Sequence, residues 1–177
     1  MLTRLTLWMT FLVLGVMACA TPRVEMDIRG NPDLSAFTTV YVPPAIIARG
    51  GPDPIAPEIG ESLQVETKLQ LARRGYLFAA PAQADLRVEL YLRRGVMARR
   101  TWSSDPDASA AVYRDFPAAV LEVQVLDPRD SSELWRGEGR ARLPERRNFF
   151  DPDPETIWLD TLGQVLDALP VRAPSAS

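Results

Sequence analysis

Leu86, Val88, Leu90 and Leu92 alternate with Arg87, Glu89, Tyr91 and Arg93. Successive side chains of a strand point to opposite faces, so this segment has one face for a core and one for water. Such a strand belongs in a largely antiparallel sheet covered on one side, not in a parallel sheet wrapped on both. Two later segments repeat the pattern. Ala119 to Leu126 turns Leu121, Val123 and Val125 inward and Glu122 and Gln124 outward. Leu134 to Leu143 has Trp135, Gly137, Gly139, Ala141 and Leu143 on one face and Arg136, Glu138, Arg140 and Arg142 on the other. Residues 127–132, Asp-Pro-Arg-Asp-Ser-Ser, turn the chain between them. The small inner residues leave room for a helix to approach closely, or else mark bulges. Cross-strand ion pairs are expected on the outer face.

The other elements follow from shorter signals. Val24, Met26 and Ile28 alternate with Glu25 and Asp27, a strand pattern. Residues 38–42 form a β-branched and aromatic strand ended by Pro43 and Pro44. Residues 43–57 are rich in Pro and Gly and are expected as a long surface loop. Pro57 suits the first turn of a helix whose Ile59, Leu63, Thr67 and Leu71 recur every four residues. Val65, Leu69 and Ala72 form a second apolar set roughly opposite, so this helix is either covered on two sides or carries an exposed apolar flank. Gly75 is placed to end it in a left-handed conformation. Residues 76–78 lead to a turn at Pro81, and residues 99–117 are expected as a polar loop. A second helix starts at Asp153-Pro154-Glu155, carries Trp158, Leu162, Val165, Leu166 and Leu169 as one stripe, and stops at Pro170. The expected fold is an α+β two-layer sandwich, a mostly antiparallel sheet of about five strands with two helices on one face. Residues 24–170 form one domain, and 171–177 a flexible tail.

Composition narrows the chemistry. At 46% hydrophobic residues a chain of 177 can bury one sizeable core. The net charge of −3 gives no case for nucleic acid as a partner. There is no histidine, which excludes histidine metal sites, Ser-His-Asp and Cys-His catalysis. Lys68 is the one lysine and Cys19 the one cysteine. The residue types left suit a non-catalytic domain with no cofactor and no bound metal.

Cys19 stands at the end of an apolar run that follows Arg4. A positive start, a short apolar segment and a small-residue exit make a secretory signal over residues 1–18. As a helix the run from Leu5 to Met17 reaches ~20 Å, short of the ~30 Å of a bilayer core. Residues 16–19, Val-Met-Ala-Cys, resemble the lipobox of bacterial lipoproteins, which makes Cys19 the expected acylation site and residues 19–23 a short tether. Residues 18–20, Ala-Cys-Ala, also fit ordinary signal cleavage before Thr21, so acylation and removal of Cys19 both stay open. One cysteine cannot form an internal disulfide, and acylation gives it a purpose. Ala20 in place of an aspartate points, by resemblance to enterobacterial sorting, to the periplasmic face of the outer membrane.

The order of motifs after the signal resembles a bacterial lipoprotein family known as a domain of unknown function (family 4136). The segments are 31–41, from Asn31 through Phe37 to Tyr41, then 71–76 with Gly75-Tyr76, 84–88, 120–127, and 134–137, Leu-Trp-Arg-Gly. The hairpin turn departs from the family in having Asp130-Ser131-Ser132 where a glycine is common, and Val42-Pro43 replaces a common tryptophan. The resemblance implies an envelope lipoprotein with an α+β domain and supplies no catalytic residues. A weaker resemblance is to the lipopolysaccharide-assembly lipoprotein that plugs an outer-membrane barrel. It implies an assembly factor binding an amphiphile such as lipopolysaccharide.

Arg93, Arg94, Arg99, Arg100 and Trp102 are the densest basic and aromatic cluster. They are candidate contacts for an anionic ligand, lipid or envelope protein partner. Asp105 and Asp107 read as part of a wet loop. Asp151, Asp153 and Glu155 read as a helix start rather than a cation site, and Phe149 and Phe150 as a staple for the second helix.

Overall fold

A computed structural model describes residues 24–48, 54–101, 112–144 and 152–170. Its elements are β1 (Val24–Arg29), β2 (Thr39–Tyr41), β3 (Ile46–Ile47), α1 (Pro57–Arg73), β4 (Leu77–Phe78), β5 (Leu86–Thr101), β6 (Val112–Leu126), β7 (Glu133–Arg142) and α2 (Pro154–Asp167). One sheet runs in the order β1-β7-β6-β5-β2-β4, with β3 also paired to β5. The β1–β7, β7–β6 and β6–β5 pairs are antiparallel. The pairs of β2 with β4 and β5, and of β3 with β5, are parallel.

The fold class is the expected one, but the sheet has seven strands rather than about five. The additions, β3 and β4, are two residues each. Segments that short show no side-chain alternation, and only their pairing to a neighbour makes them strands. So the expected loop after Pro43 contains β3, and Leu77–Phe78 is an edge strand rather than a lead into a turn.

A second correction concerns the segment between the two longest strands. β5 runs through Thr101 and β6 begins at Val112, with unbroken register from Arg87↔Leu126 to Thr101↔Val112. Part of the expected loop over 99–117 is therefore ladder. β7 ends with Arg142 opposite Ala118, and β3 meets β5 only at Tyr91 and Leu92. Among the described residues, Met97–Thr101 and Val112–Phe116 pair only with each other, as a two-stranded ribbon beyond the body of the sheet, while the Pro117 carbonyl still accepts from the Leu143 N–H at 2.8 Å. At its base, Met97, Ala118 and Val120 form a small buried cluster. The Arg142 guanidinium lies 3.8 Å from the centre of the Phe116 ring, a cation–π contact that braces it.

Both helices cover the face bearing Leu86, Val88, Leu90, Leu92, Leu121, Val123 and Val125, which join them in one buried cluster. On α1, Leu63, Thr67 and Leu71 are buried, while Val65 and Leu69 are 56% and 49% exposed. The second apolar set is thus an exposed flank. Thr67 donates to the Leu63 carbonyl at 2.7 Å, and Thr161 on α2 to that of Ile157 at 2.7 Å, which lets both sit in the core. Gly75 ends α1 at φ +85°, with its N–H on the Ala72 carbonyl and that of Tyr76 on Leu71.

Gly137 and Gly139 decide how α2 seats. A Cβ on Gly139 would lie 2.7 Å from Thr161 Cγ2 and from Val165 Cγ2. A Cβ on Gly137 would lie 2.4 Å from the Trp135 ring and 2.7 Å from Val165 Cγ1. The small inner residues therefore mark close helix approach, and neither lies at an irregularity of the ladder, which falls at Val125/Leu126. We expect Gly139→Val to lower unfolding free energy by about 1–3 kcal/mol in urea titration, because the helix must shift outward. At the β6–β7 turn, Ser131 takes φ 60°, the left-handed conformation that glycine adopts without cost. Ser131→Gly is expected to raise stability by up to about 1 kcal/mol, read as a higher melting temperature.

Candidate functional site

Among the described residues no helix covers the other face of the sheet, and its charged side chains shield one another. Strand alternation puts Arg87, Glu89, Tyr91 and Arg93 of β5 on this face, beside Glu122 and Gln124 of β6 and Arg136, Glu138 and Arg140 of β7. Glu89 is only 6% exposed. It pairs with Arg87 and accepts a hydrogen bond from the Tyr91 hydroxyl. That bond, with burial and the Glu89 charge behind it, pushes the Tyr91 phenol up to about 12. Tyr91 therefore serves as a donor here at neutral pH.

Glu122 and Glu138 face each other directly in the β6–β7 register. Like charges at such positions repel, and arginines from three positions offset them. Arg93 reaches Glu138 at 3.0 Å and Arg140 reaches it at 2.6 Å. Arg136 lies 3.5 Å from Glu122 and bonds Glu133 through Nε at 2.8 Å. Burial works to raise the Glu138 carboxyl, but the Arg140 and Arg93 hydrogen bonds outweigh it and hold the group below its usual range. The expected cross-strand ion pairs are thus present.

A second polar arrangement joins the starts of β2 and β5. Asp85 Oδ2 accepts from the N–H groups of Thr38 (3.0 Å) and Thr39 (2.9 Å) and from both hydroxyls (3.0 and 2.8 Å). The Asp85 N–H bonds back to Thr39 Oγ1 at 2.9 Å. The backbone N–H bonds of Thr38 and Thr39 stabilise the carboxylate and hold its pKa far below the usual value. Asp85 falls in the 84–88 segment of the family resemblance, but no role for it was legible there; an aspartate one residue before a strand is the only local signal. At the far end of β6, Asp127 clamps Arg129 through Oδ1–Nε (2.9 Å) and Oδ2–Nη2 (2.6 Å), which holds its own pKa low.

The predicted basic cluster divides. Arg93 belongs to the outer-face network through Glu138. Arg94, its neighbour along an alternating strand, is exposed and falls on the opposite face. Arg99 and Arg100 stand further along β5, opposite Arg114 and Tyr113 in the ladder. They are ribbon residues, not members of a loop. Cys19 and Trp102 lie outside the described residues, as do Asp105, Asp107, Phe149, Phe150 and Asp151. Asp153 is the N-cap of α2 and Glu155 is in its first turn, as expected for a helix start. Among the described residues no group of acids, histidine or cysteine could hold a metal ion. No helix there is long and apolar enough to cross a membrane.

The sequence matches no protein-family model and no curated relative. The fold is shared with the PelC dodecamer from Paraburkholderia phytofirmans, at a TM-score of 0.54 and 14% identity, over 85% of this chain and all of that one. The lipoprotein GNA1162 from Neisseria meningitidis is more distant, at a TM-score of 0.41 and 13% identity over 74% of this chain and 94% of that one. At such identities the first likeness is one of fold, and the second carries no argument.

Asp85 supplies a pH test. A carboxylate with a folded pKa depressed below its unfolded value of about 3.9 adds stability above that value and loses it as pH falls toward the folded pKa. Asp85→Asn is expected to cost roughly 1–3 kcal/mol at neutral pH. The gap between variant and parent should narrow once the pH drops below about 4. Urea unfolding at neutral and acid pH measures both.

Proposed function

We propose that this chain is a lipid-anchored protein of the bacterial envelope, whose α+β domain is a non-catalytic interaction or structural module on the periplasmic face of the outer membrane. The observation that carries the reading is the position of Cys19. It ends a signal-like apolar run and lies five residues before Val24, where the first strand begins. A covalent lipid there would hold the domain against the membrane. Ala20 favours the outer membrane over the inner one. The lack of histidine and of any second thiol supports a binding role over a catalytic one. Membership of the lipoprotein family of unknown function (family 4136) is part of the proposal. What supports it is the order of motifs along the sequence, Gly75-Tyr76 and residues 134–137 among them, while the hairpin turn Asp130-Ser131-Ser132 departs from it.

The amphiphile-binding alternative draws less support. A cleft of about 410 Å³ between the helices is lined by Glu66, Gln70, Leu159, Asp160, Gly163, Gln164 and Asp167. Its three carboxylates would repel an anionic headgroup. Self-assembly, as in the PelC dodecamer, is a further form the interaction role could take.

Metabolic labelling of cells with a palmitate analogue tests the anchor. The expected result is a labelled, globomycin-sensitive protein in the outer-membrane fraction, with label abolished by Cys19→Ser. Unlabelled protein in the soluble periplasm with its N-terminus at Thr21 would refute it.

A further inference from the structure

The two edges of the sheet differ in what they offer a partner. Among the described residues β1 pairs only with β7, and β4 only with β2. β4 presents two residues of edge and β1 six. An edge strand carries a row of unpaired N–H and C=O groups, and proteins blunt long edges with proline, a bulge or charged side chains. β1 has no proline, and its six residues keep an unbroken register with β7. Val24, Met26 and Ile28 lie on the helix-covered face, opposite Ala141, Gly139 and Gly137. Met26 and Ile28 are still 49% and 37% exposed, because no strand stands beyond them among the described residues. Glu25, Asp27 and Arg29 lie on the outer face, and their charges decide what can pair.

The order of those charges is complementary to itself. Two β1 strands laid antiparallel about a two-fold axis, with the helices on one side, match outer residues with outer and inner with inner. Centred on Met26, such a pair sets Glu25 against Asp27 of the second copy, twice. Centred on Ile28, it sets Met26 against Gly30, which lies past the strand end at φ +85°. Centred on Asp27, it sets Glu25 against Arg29 twice and Met26 against Ile28 twice. The one like-charge pair in that register, Asp27 with its own image, is offset by Arg29, 3.0 Å from Asp27 within each copy. Arg29 also faces Arg136 in the β1–β7 ladder, and a carboxylate on its other side relieves that repulsion. The helices leave room. α2 seats on β7 at Gly137 and Gly139. With strands about 4.8 Å apart, the two β7 strands flanking a β1 pair stand about 14 Å apart. Packed helices need only about 8–10 Å. Met26 and Ile28 of both copies then form an apolar floor between the two α2 helices.

We propose that β1 is a self-association edge, at which two copies of this chain join antiparallel about Asp27 into one continuous sheet. The inference rests on the interaction role proposed above and names its partner as a second copy; it does not depend on the lipid. Facing Cα atoms in an antiparallel pair lie about 4.5–5.5 Å apart, within reach of a disulfide. Glu25 of one copy lies about 14 Å from Glu25 of the other, beyond that reach. The full chain is expressed in bacteria with its signal intact, and isolated envelopes are treated with a mild oxidant and run on non-reducing gels. Asp27→Cys is expected to give a reducible dimer, and Glu25→Cys and Leu77→Cys, the latter on β4, to stay monomeric. In the Asp27→Cys background, Glu25→Arg or Arg29→Glu is expected to cut the crosslinked fraction about tenfold, as two attractive cross-strand pairs become repulsive. Glu25→Arg and Arg29→Glu together should restore it, which a folding defect would not. No dimer from Asp27→Cys, an equal dimer from Leu77→Cys, or no rescue by the double reversal would overturn the proposal. Palmitate labelling of the same envelopes reads the anchor separately. A labelled chain that does not crosslink keeps the anchor and refutes the pairing, and a crosslinked chain without label does the reverse.

Discussion

The contact of α2 with β7 sets the spacing of the two layers. Gly137 and Gly139 leave the sheet surface bare where Val165 and Thr161 come down, and Trp135 folds its ring over Gly137. With any side chain at those positions the helix would stand further off. Trp158, Leu162, Val165 and Leu166, all 0–2% exposed, would then lose contact with the sheet. The dispersion and burial terms that hold two layers together fall steeply with separation. The core on the β6–β7 side thus depends on the absence of two side chains as much as on the presence of large ones.

The opposite face has the reverse economy. Among the described residues it has no second layer, so its carboxylates are shielded by neighbouring arginines, by Tyr91 and by Gln124, which donates to Glu122. Glu89 is nearly buried in this way, and Glu122 and Glu138 stand opposite each other only because Arg136, Arg93 and Arg140 intervene. Such a face is closed and self-satisfied. The features that point outward lie elsewhere: the ribbon, the exposed flank of α1 with Val65 and Leu69, and the edge strands β1 and β4 with Met26, Leu77 and Phe78. An interaction role would be expected to draw on these edges and projections.

Much of this was legible residue by residue. Pro57, Gly75 and Asp153-Pro154 marked helix ends to within a residue or two, because proline and glycine act through local backbone geometry. The alternating runs of β5, β6 and β7 were legible because a half-buried strand must alternate. What was missed had no local signature. β3 and β4 are too short for a period. The ribbon reads as a loop because Gly95, Pro117 and a run of arginines carry no alternation, and its strands exist through pairing. Asp85 gave no warning, since its role needs Thr38 and Thr39, which lie 46 to 47 positions earlier in the chain.

By itself, then, the sequence determined the class of fold, which face of each long strand is buried, where both helices begin and end, and the lack of histidine and second-thiol chemistry. These follow from side-chain period, backbone stereochemistry and residue identity, all properties of short segments. Tertiary structure alone decided that Gly137 and Gly139 admit a helix rather than a bulge and that the second apolar set of α1 stays exposed. It also divided one basic cluster between an ion-pair network and a projecting ribbon, and put that ribbon at the same end of the sheet as the start of β1. Those outcomes depend on register between strands distant in the chain, and register is a property of the assembled sheet.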